Sequence, residues 1–149
     1  MTRARNCIDP RSVAVRAESY LKFTGIADTV YFGPEAEFFV FDEAHYHNNQ
    51  NSAGYSVQSE EGHWNSGRTS EDYPNMGYHI RPKEGYVPVA PLDSLIDLRN
   101  AISLVLESIG IDVEYHHHEV ATAGKCEIDF RFSNMLHTAD NLMIFKNVV

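Results

Sequence analysis

The stretch IDVEYHHHEVATAGKCEIDFRF, residues 111–132, decides the fold of this chain. Both of its ends are rich in β-branched and aromatic residues, which is typical of strands. Between them, Ala123-Gly124 are turn residues. We therefore predict strands over residues 111–119 and 125–132, folded against each other by the turn. Glu119 and Glu127 lie close to that turn, one in each strand.

Three helices are predicted outside this hairpin. The expected N-terminal caps are Asp9, followed by Pro10, for the first helix, Asp93 or Ser94 for the second and Thr138 for the third. The first helix should end at Gly25 and the second at Gly110, because glycine favours helix ends. The second has a clear apolar stripe: Leu95, Leu98, Ile102, Val105 or Leu106, and Ile109.

The remaining segments predict further strands and one long loop. Apolar runs over residues 29–32 and 37–41 are typical of strands, and the prolines within residues 87–91 predict extended chain. Residues 45–78 show no sustained period, which predicts a long loop or a weak hairpin. This order of elements predicts an α+β fold, with a curved, largely antiparallel sheet packed by helices.

Length, charge and composition exclude several classes of protein. A chain of 149 residues builds one core, and its net charge of −9 argues against binding nucleic acid. No apolar run is long enough to cross a membrane. With only Cys7 and Cys126 there is no disulfide framework, so a cytoplasmic protein is expected. The apolar residues 142–149 end without a cap, which predicts a chain that has been cut short.

Glu35 and Glu37 form the first candidate site. They alternate along a predicted strand, so their side chains should project from the same face. Neighbouring carboxylates repel each other unless a cation lies between them, and Mg²⁺ or Mn²⁺ prefers such oxygen ligands. The alternative is a solvated strand edge, against which the flanking phenylalanines argue.

The second candidate site includes a run of three histidines. Along a strand, Glu114, His116 and His118 share one face, whereas His117 and Glu119 share the other. Two interpretations of the histidines remain open, a zinc site and simple packing or hydrogen bonding.

Glu127 also has two interpretations. The turn could bring it close to Glu119, so that the two carboxylates share a metal ion. Alternatively, Glu127 belongs to a surface face on which Arg131 is its partner.

Three segments together resemble the glutamine synthetase family, in its bacterial type I form. FGPEAEFF (residues 32–39) resembles the family pattern FGPEPEFF, GYVPV (85–89) resembles part of GGYFPV, and HHHEVATAGKCE (116–127) resembles HHHEVATAGQxE. The resemblance covers nearly the whole chain in order and spacing. Ala36 replaces a proline, Glu84 a glycine, and Lys125-Cys126 a glutamine and a polar residue. These departures are expected to affect loop geometry more than chemistry.

The resemblance implies specific site residues. It implies metal ligands at Glu35, Glu37, Glu119 and Glu127, which would hold two Mg²⁺ or Mn²⁺ ions. It implies contacts with the substrate ATP at Glu114, Tyr86, Phe132 and His117. The implied activity is ATP-dependent synthesis of glutamine from glutamate and ammonium through γ-glutamyl phosphate. The implied assembly is a homo-oligomeric ring, a dodecamer.

The resemblance also implies that parts of the family's enzyme lie outside this sequence. Residues 1–149 correspond to a partial catalytic domain, without the N-terminal β-grasp domain or the C-terminal remainder. We therefore expect the chain to be inactive alone. The alternatives are a related ligase that joins glutamate to a polyamine or another amine, a non-catalytic relative, and a zinc-binding module.

Overall fold

The computed structural model describes residues 9–65 and 78–149. Its helices are α1 (Pro10–Thr24), α2 (Ile96–Ser108) and α3 (Met135–Val148). Its strands are β1 (Tyr31–Phe32), β2 (Glu35–Phe39), β3 (Glu43–Asn49), β4 (Ser52–Gln58), β5 (Val113–His118), β6 (Lys125–Phe130) and β7 (Ser133–Asn134). One short 3₁₀ turn covers His63–Asn65. None of the described helices combines the length and apolarity that crossing a membrane requires.

Within residues 9–65 and 78–149, the strands form three small sheets. β2, β6 and β5 make a three-stranded sheet with β6 in the centre. β1 pairs antiparallel with β7, and β3 pairs antiparallel with β4 in a hairpin. Helices and antiparallel strands are therefore combined as the sequence predicted, and the α+β class is confirmed.

Two helix starts show how capping decides a boundary. The Asp9 carboxylate accepts a hydrogen bond from the Arg11 amide at 3.1 Å, so the predicted start of α1 is confirmed. The predicted cap of α3 is wrong. Asn134 caps that helix by accepting from the His137 amide at 3.0 Å, and Thr138 lies buried inside the first turn.

The buried face of α2 differs from the predicted apolar stripe. Leu106 is fully buried as expected, but Leu98 and Val105 are 40% and 48% exposed. Arg99 and Ser103 are buried instead, at 1% and 8% exposure. The arginine can be buried because it forms an ion pair with the buried Asp93.

The strands also differ from prediction in detail. β2 begins and ends two residues earlier than expected, and the weak hairpin within 45–78 is the regular pair β3–β4. Residues 66–77 of that segment lie outside the described chain. Val87 has a φ of +49°, so the predicted extended conformation is wrong there. β6, the central strand of its sheet, is buried on both faces over residues 126–130.

Two compact units divide the described residues. The first contains the described part of 1–36 together with 102–115 and 129–149. Its buried apolar residues include Leu106, Ile111, Phe130 and Phe145. The second contains the described part of 37–101 together with 116–128. Its interior includes Ile80, Ala123, Cys126 and Ile128, and also several buried charged or polar groups: Glu61, Asp93, Arg99 and His118.

Candidate metal centre

Three metal-ligating side chains converge in the second unit. His117, Glu119 and Glu127 each offer one ligand atom, and these atoms lie within 4.8 Å of one another. Nδ1 of His117 is 3.5 Å from Oε2 of Glu119, and its Nε2 is 3.7 Å from Oε2 of Glu127. The three side chains are only 16%, 12% and 7% exposed. The imidazole therefore lies between two carboxylates in a recessed site.

The connection between β5 and β6 creates this convergence. His117 lies near the end of β5, and Glu127 is the third residue of β6. The Glu119 amide donates to the Lys125 carbonyl at 3.2 Å, which starts the pairing of the two strands. The predicted juxtaposition of Glu119 and Glu127 across the turn is thus observed. The alternative, a surface face with Arg131, is wrong because Glu127 is buried.

Gly124 fixes the turn. Its φ is +77°, and a Cβ at this position would lie 2.3 Å from the Val40 carbonyl oxygen. Its own carbonyl accepts a hydrogen bond from the Val40 amide at 2.9 Å. Only glycine satisfies both the backbone angle and the close approach.

A buried carboxylate holds the same turn from inside. Oε2 of Glu61 accepts a hydrogen bond from the Gly124 amide at 2.8 Å, and its Oε1 accepts from the Ser94 amide and hydroxyl at 2.9 Å. Burial opposes the charged form of Glu61, but hydrogen bonds from His118, Gly124 and Ser94 outweigh it and lower its pKa. The anion is therefore the stable form.

His118 is the cationic partner of Glu61. Its Nε2 donates to Oε2 of Glu61 at 3.0 Å, and its Nδ1 faces the carbonyl oxygens of Gly85 at 2.7 Å and Glu119 at 3.1 Å. Acceptors at both nitrogens suit a doubly protonated ring. Burial lowers the pKa of His118, but the Glu61 hydrogen bond and charge outweigh this effect and raise it.

A second buried ion pair supports the middle of β5. Arg99 donates to Asp93 at 2.5 Å and to Nδ1 of His116 at 3.4 Å. Nε2 of His116 lies 2.9 Å from Oδ1 of Asn100. Burial and the nearby Arg99 charge lower the pKa of His116, so its ring is neutral.

The three adjacent histidines thus have three different environments. His116 faces Arg99, His117 faces the two glutamates and His118 faces Glu61. The predicted alternation of faces is observed, and the structure gives no support to a zinc site formed by convergence of the histidine run.

Glu35 and Glu37 lie on β2, outside the group of three converging donors found among the described residues. Ala36 between them is buried, so the two glutamates share the exposed face as predicted. The Glu37 side chain is 42% exposed and forms an ion pair with Nζ of Lys125. Lys125 therefore contacts a predicted metal ligand.

The predicted ATP contacts divide between the two compact units, with Tyr86 and His117 in the second and Phe132 and Glu114 in the first. The Tyr86 ring meets the His117 ring edge to face at 5.7 Å and is 68% exposed. Phe132, in the first unit, packs its exposed ring against Tyr31 at 5.8 Å. Glu114 is an exposed residue of β5. Their roles toward ATP stay predictions.

The donor set fits a divalent cation. Carboxylate oxygens are the ligands that Mg²⁺ and Mn²⁺ prefer. Two recessed carboxylates beside one imidazole would be neutralised by such an ion. Glu119 and Glu127 could hold it, with His117 at its side.

Sequence reasoning missed several supporting residues. Glu61 stands in a segment without periodicity and is 57 positions from His118, so no local pattern reveals their pairing. The burial of Arg99 could have been predicted, because it lies at helical spacing from Leu95 and Ile102 on the apolar side of α2. The only sequence signal at Lys125 is its departure from the family pattern.

Comparisons with known proteins agree on one family. Residues 7–149 match the family model described as glutamine synthetase, catalytic domain. The chain is 50% identical over 141 residues to the glutamine synthetase of Nostoc sp., covering 94% of this chain and 30% of that protein. It is 51% identical over 141 residues to that of Streptomyces coelicolor, covering 95% and 29%. It is 49% identical over 149 residues to that of Frankia alni, covering 100% and 31%.

A solved structure has a similar fold. The cryo-EM structure of Plasmodium falciparum glutamine synthetase matches with a TM-score of 0.77 at 28% identity, over 98% of this chain and 29% of that one. The chain therefore spans about 30% of the length of the relatives that it matches.

Proposed function

Because this chain belongs to the glutamine synthetase family through its catalytic domain, we propose that it supplies part of the metal and nucleotide site of a glutamate–ammonia ligase. The observation that carries this proposal is the convergence of His117, Glu119 and Glu127. The matched relatives are named glutamine synthetases, which supports ammonia as the amine in preference to a polyamine.

The proposed reaction has two steps. A carboxylate is a poor electrophile, so the γ-carboxylate of glutamate first attacks the γ-phosphorus of ATP, which gives γ-glutamyl phosphate and ADP. Ammonia then attacks the activated acyl carbon, phosphate leaves, and the lost proton goes to solvent. Bound Mg²⁺ or Mn²⁺ would neutralise the charge on the phosphates during the first step.

The residues of this chain have proposed roles in binding and orientation. Glu119 and Glu127 would hold one cation in the recessed site, shared with Glu37, and Glu35 would contribute to holding a second. His117, between the two buried carboxylates, would contact the phosphate side of ATP. Tyr86 presents an exposed ring beside His117 and, with Phe132 and Glu114, would contact the nucleotide.

The remaining proposals concern the whole enzyme. We propose a homo-oligomeric ring in the cytoplasm, supported by the family to which the chain belongs. Because the chain spans about 30% of its relatives, glutamate and ammonium are proposed as substrates of the complete protein.

Metal binding tests the proposal directly. We would titrate the chain with Mn²⁺ and follow the free ion by electron paramagnetic resonance. Replacing Glu127 by Gln should weaken binding by about tenfold or more, since metal sites lose this much when a ligand or its support is removed. Glu107→Gln, an equal charge change on the exposed side of α2, is the matched control. Equal affinities in E127Q and E107Q would contradict the proposed site.

A further inference from the structure

The Lys125 ammonium is held beside a proposed metal ligand. Its side chain is 13% exposed and pairs with the Glu37 carboxylate. Its Nζ also lies 4.8 Å from the centroid of the Phe39 ring. An ammonium ion shielded from water needs an anion nearby, and an aromatic face adds cation–π attraction. Low exposure and the Phe39 ring therefore both favour the ion pair between Lys125 and Glu37.

Lys125 also belongs to the strand that carries the metal cluster. It precedes Glu127 by two residues on β6, so both side chains project from the same face of that strand. An ammonium donates hydrogen bonds and has no lone pair, so it can replace a metal's charge without joining its ligand set. The oxygen lone pairs of Glu37 cannot be shared fully with the Lys125 ammonium and with a metal ion at the same time.

We propose that Lys125 is a built-in competitor of divalent cations for Glu37. In this chain the first ion binds at the His117–Glu119–Glu127 cluster, and Glu37 engages a metal ion only after its lysine partner withdraws. Because 42% of the Glu37 side chain is exposed, that exchange is physically accessible. The inference rests on the proposed function, and it distinguishes this chain from the family pattern, which has neutral glutamine at this position.

Mn²⁺ titration of charge variants tests the competition. At fixed pH and ionic strength, Lys125→Gln should bind Mn²⁺ about tenfold more tightly, a change of about 1.4 kcal/mol. Lys125→Arg keeps the charge and should resemble the unmodified chain. Lys146→Gln removes an equal charge from exposed α3 and should change affinity by less than about twofold. An unchanged or weakened affinity in K125Q would overturn the inference.

A double-mutant cycle separates competition at Glu37 from a general field effect. In a Glu37→Gln background, K125Q should no longer increase the Mn²⁺ affinity, because the carboxylate for which Lys125 and the metal compete has been removed. If the gain persists at full size, Lys125 acts only through its distant charge and the inference fails. Circular dichroism verifies the folding of each variant, and Lys125→Met, which keeps the stem over Phe39, replaces K125Q if that variant unfolds.

The same titrations keep the two proposals apart. Mn²⁺ binding that depends on Glu127 but not on Lys125 would overturn this inference and leave the proposed function standing. Binding by neither the unmodified chain nor K125Q would overturn both.

Discussion

The imidazole of His118 donates to the carboxylate of Glu61 at 3.0 Å, and the two side chains are 0% and 2% exposed. This pair joins the end of β5 to a residue far away in the sequence. Through Ser94 and Gly124, Glu61 also fixes the start of α2 and the turn before β6. The candidate metal cluster is thus built on a buried ionic scaffold, which itself contains none of the three clustered donors.

Replacing Glu61 by Gln should strongly destabilise the chain. The variant leaves the His118 cation buried without its counter-charge, and breaking a buried pair on one side costs about 3–5 kcal/mol. Urea unfolding without metal measures this loss. Glu43→Gln, which removes an exposed carboxylate paired with His45, should cost less than about 1 kcal/mol. Equal losses would show that the buried pair contributes no more than a surface pair.

Stability should also fall in acid because of Glu61. Hydrogen bonds from its partners lower its pKa below the ordinary 4.5, so the unfolded chain takes up its proton at higher pH than the folded chain. The contribution is therefore fully present above pH 4.5 and is lost as the pH falls through the lowered value. Urea unfolding between neutral and acid pH measures the slope. In E61Q the acid slope should be shallower, and an identical slope would contradict the assignment.

Replacing Gly124 by Ala should disrupt the turn. A positive φ alone costs an L-residue about 1–2 kcal/mol, and the clash with the Val40 carbonyl adds to this because backbone cannot move aside easily. We expect a total loss of about 2–4 kcal/mol in urea unfolding. Gly110 has a φ of +88°, and a Cβ built there would meet no atom within 4 Å. Gly110→Ala should therefore show the conformational cost alone. If Gly124→Ala loses no more stability than Gly110→Ala, the steric contribution is ruled out.

Local sequence signals predicted the parts of the fold that local physics determines. The Asp9 cap, the β5–β6 turn at Gly124 and the alternation of the histidine run follow from short-range rules. Glu119 and Glu127 could be placed together for the same reason, since a turn brings their strands into register. The cap of α3 was not predicted, because Asn134 is also the last residue of the short strand β7 and the helix begins at the next residue.

Contacts between residues far apart in the sequence could not be predicted from local sequence signals. Glu61 pairs with His118 across 57 positions. The contact between Lys125 and Glu37 depends on which strand lies next to β6. That contact follows from sheet order, which residue patterns in one sequence do not determine.

Divalent cations should raise the thermal stability of the chain through the cluster. A ligand that binds only the folded state adds about 2.7 kcal/mol at a concentration of 100 times its Kd. In the folded chain His117, Glu119 and Glu127 are held together, whereas unfolding separates them. Melting curves with and without Mn²⁺ measure the shift. The double variant Glu119→Gln with Glu127→Gln should lose it, while Glu107→Gln should keep it. A shift of equal size in the double variant would place the bound ion elsewhere on the chain, because neither carboxylate of the cluster would then be needed.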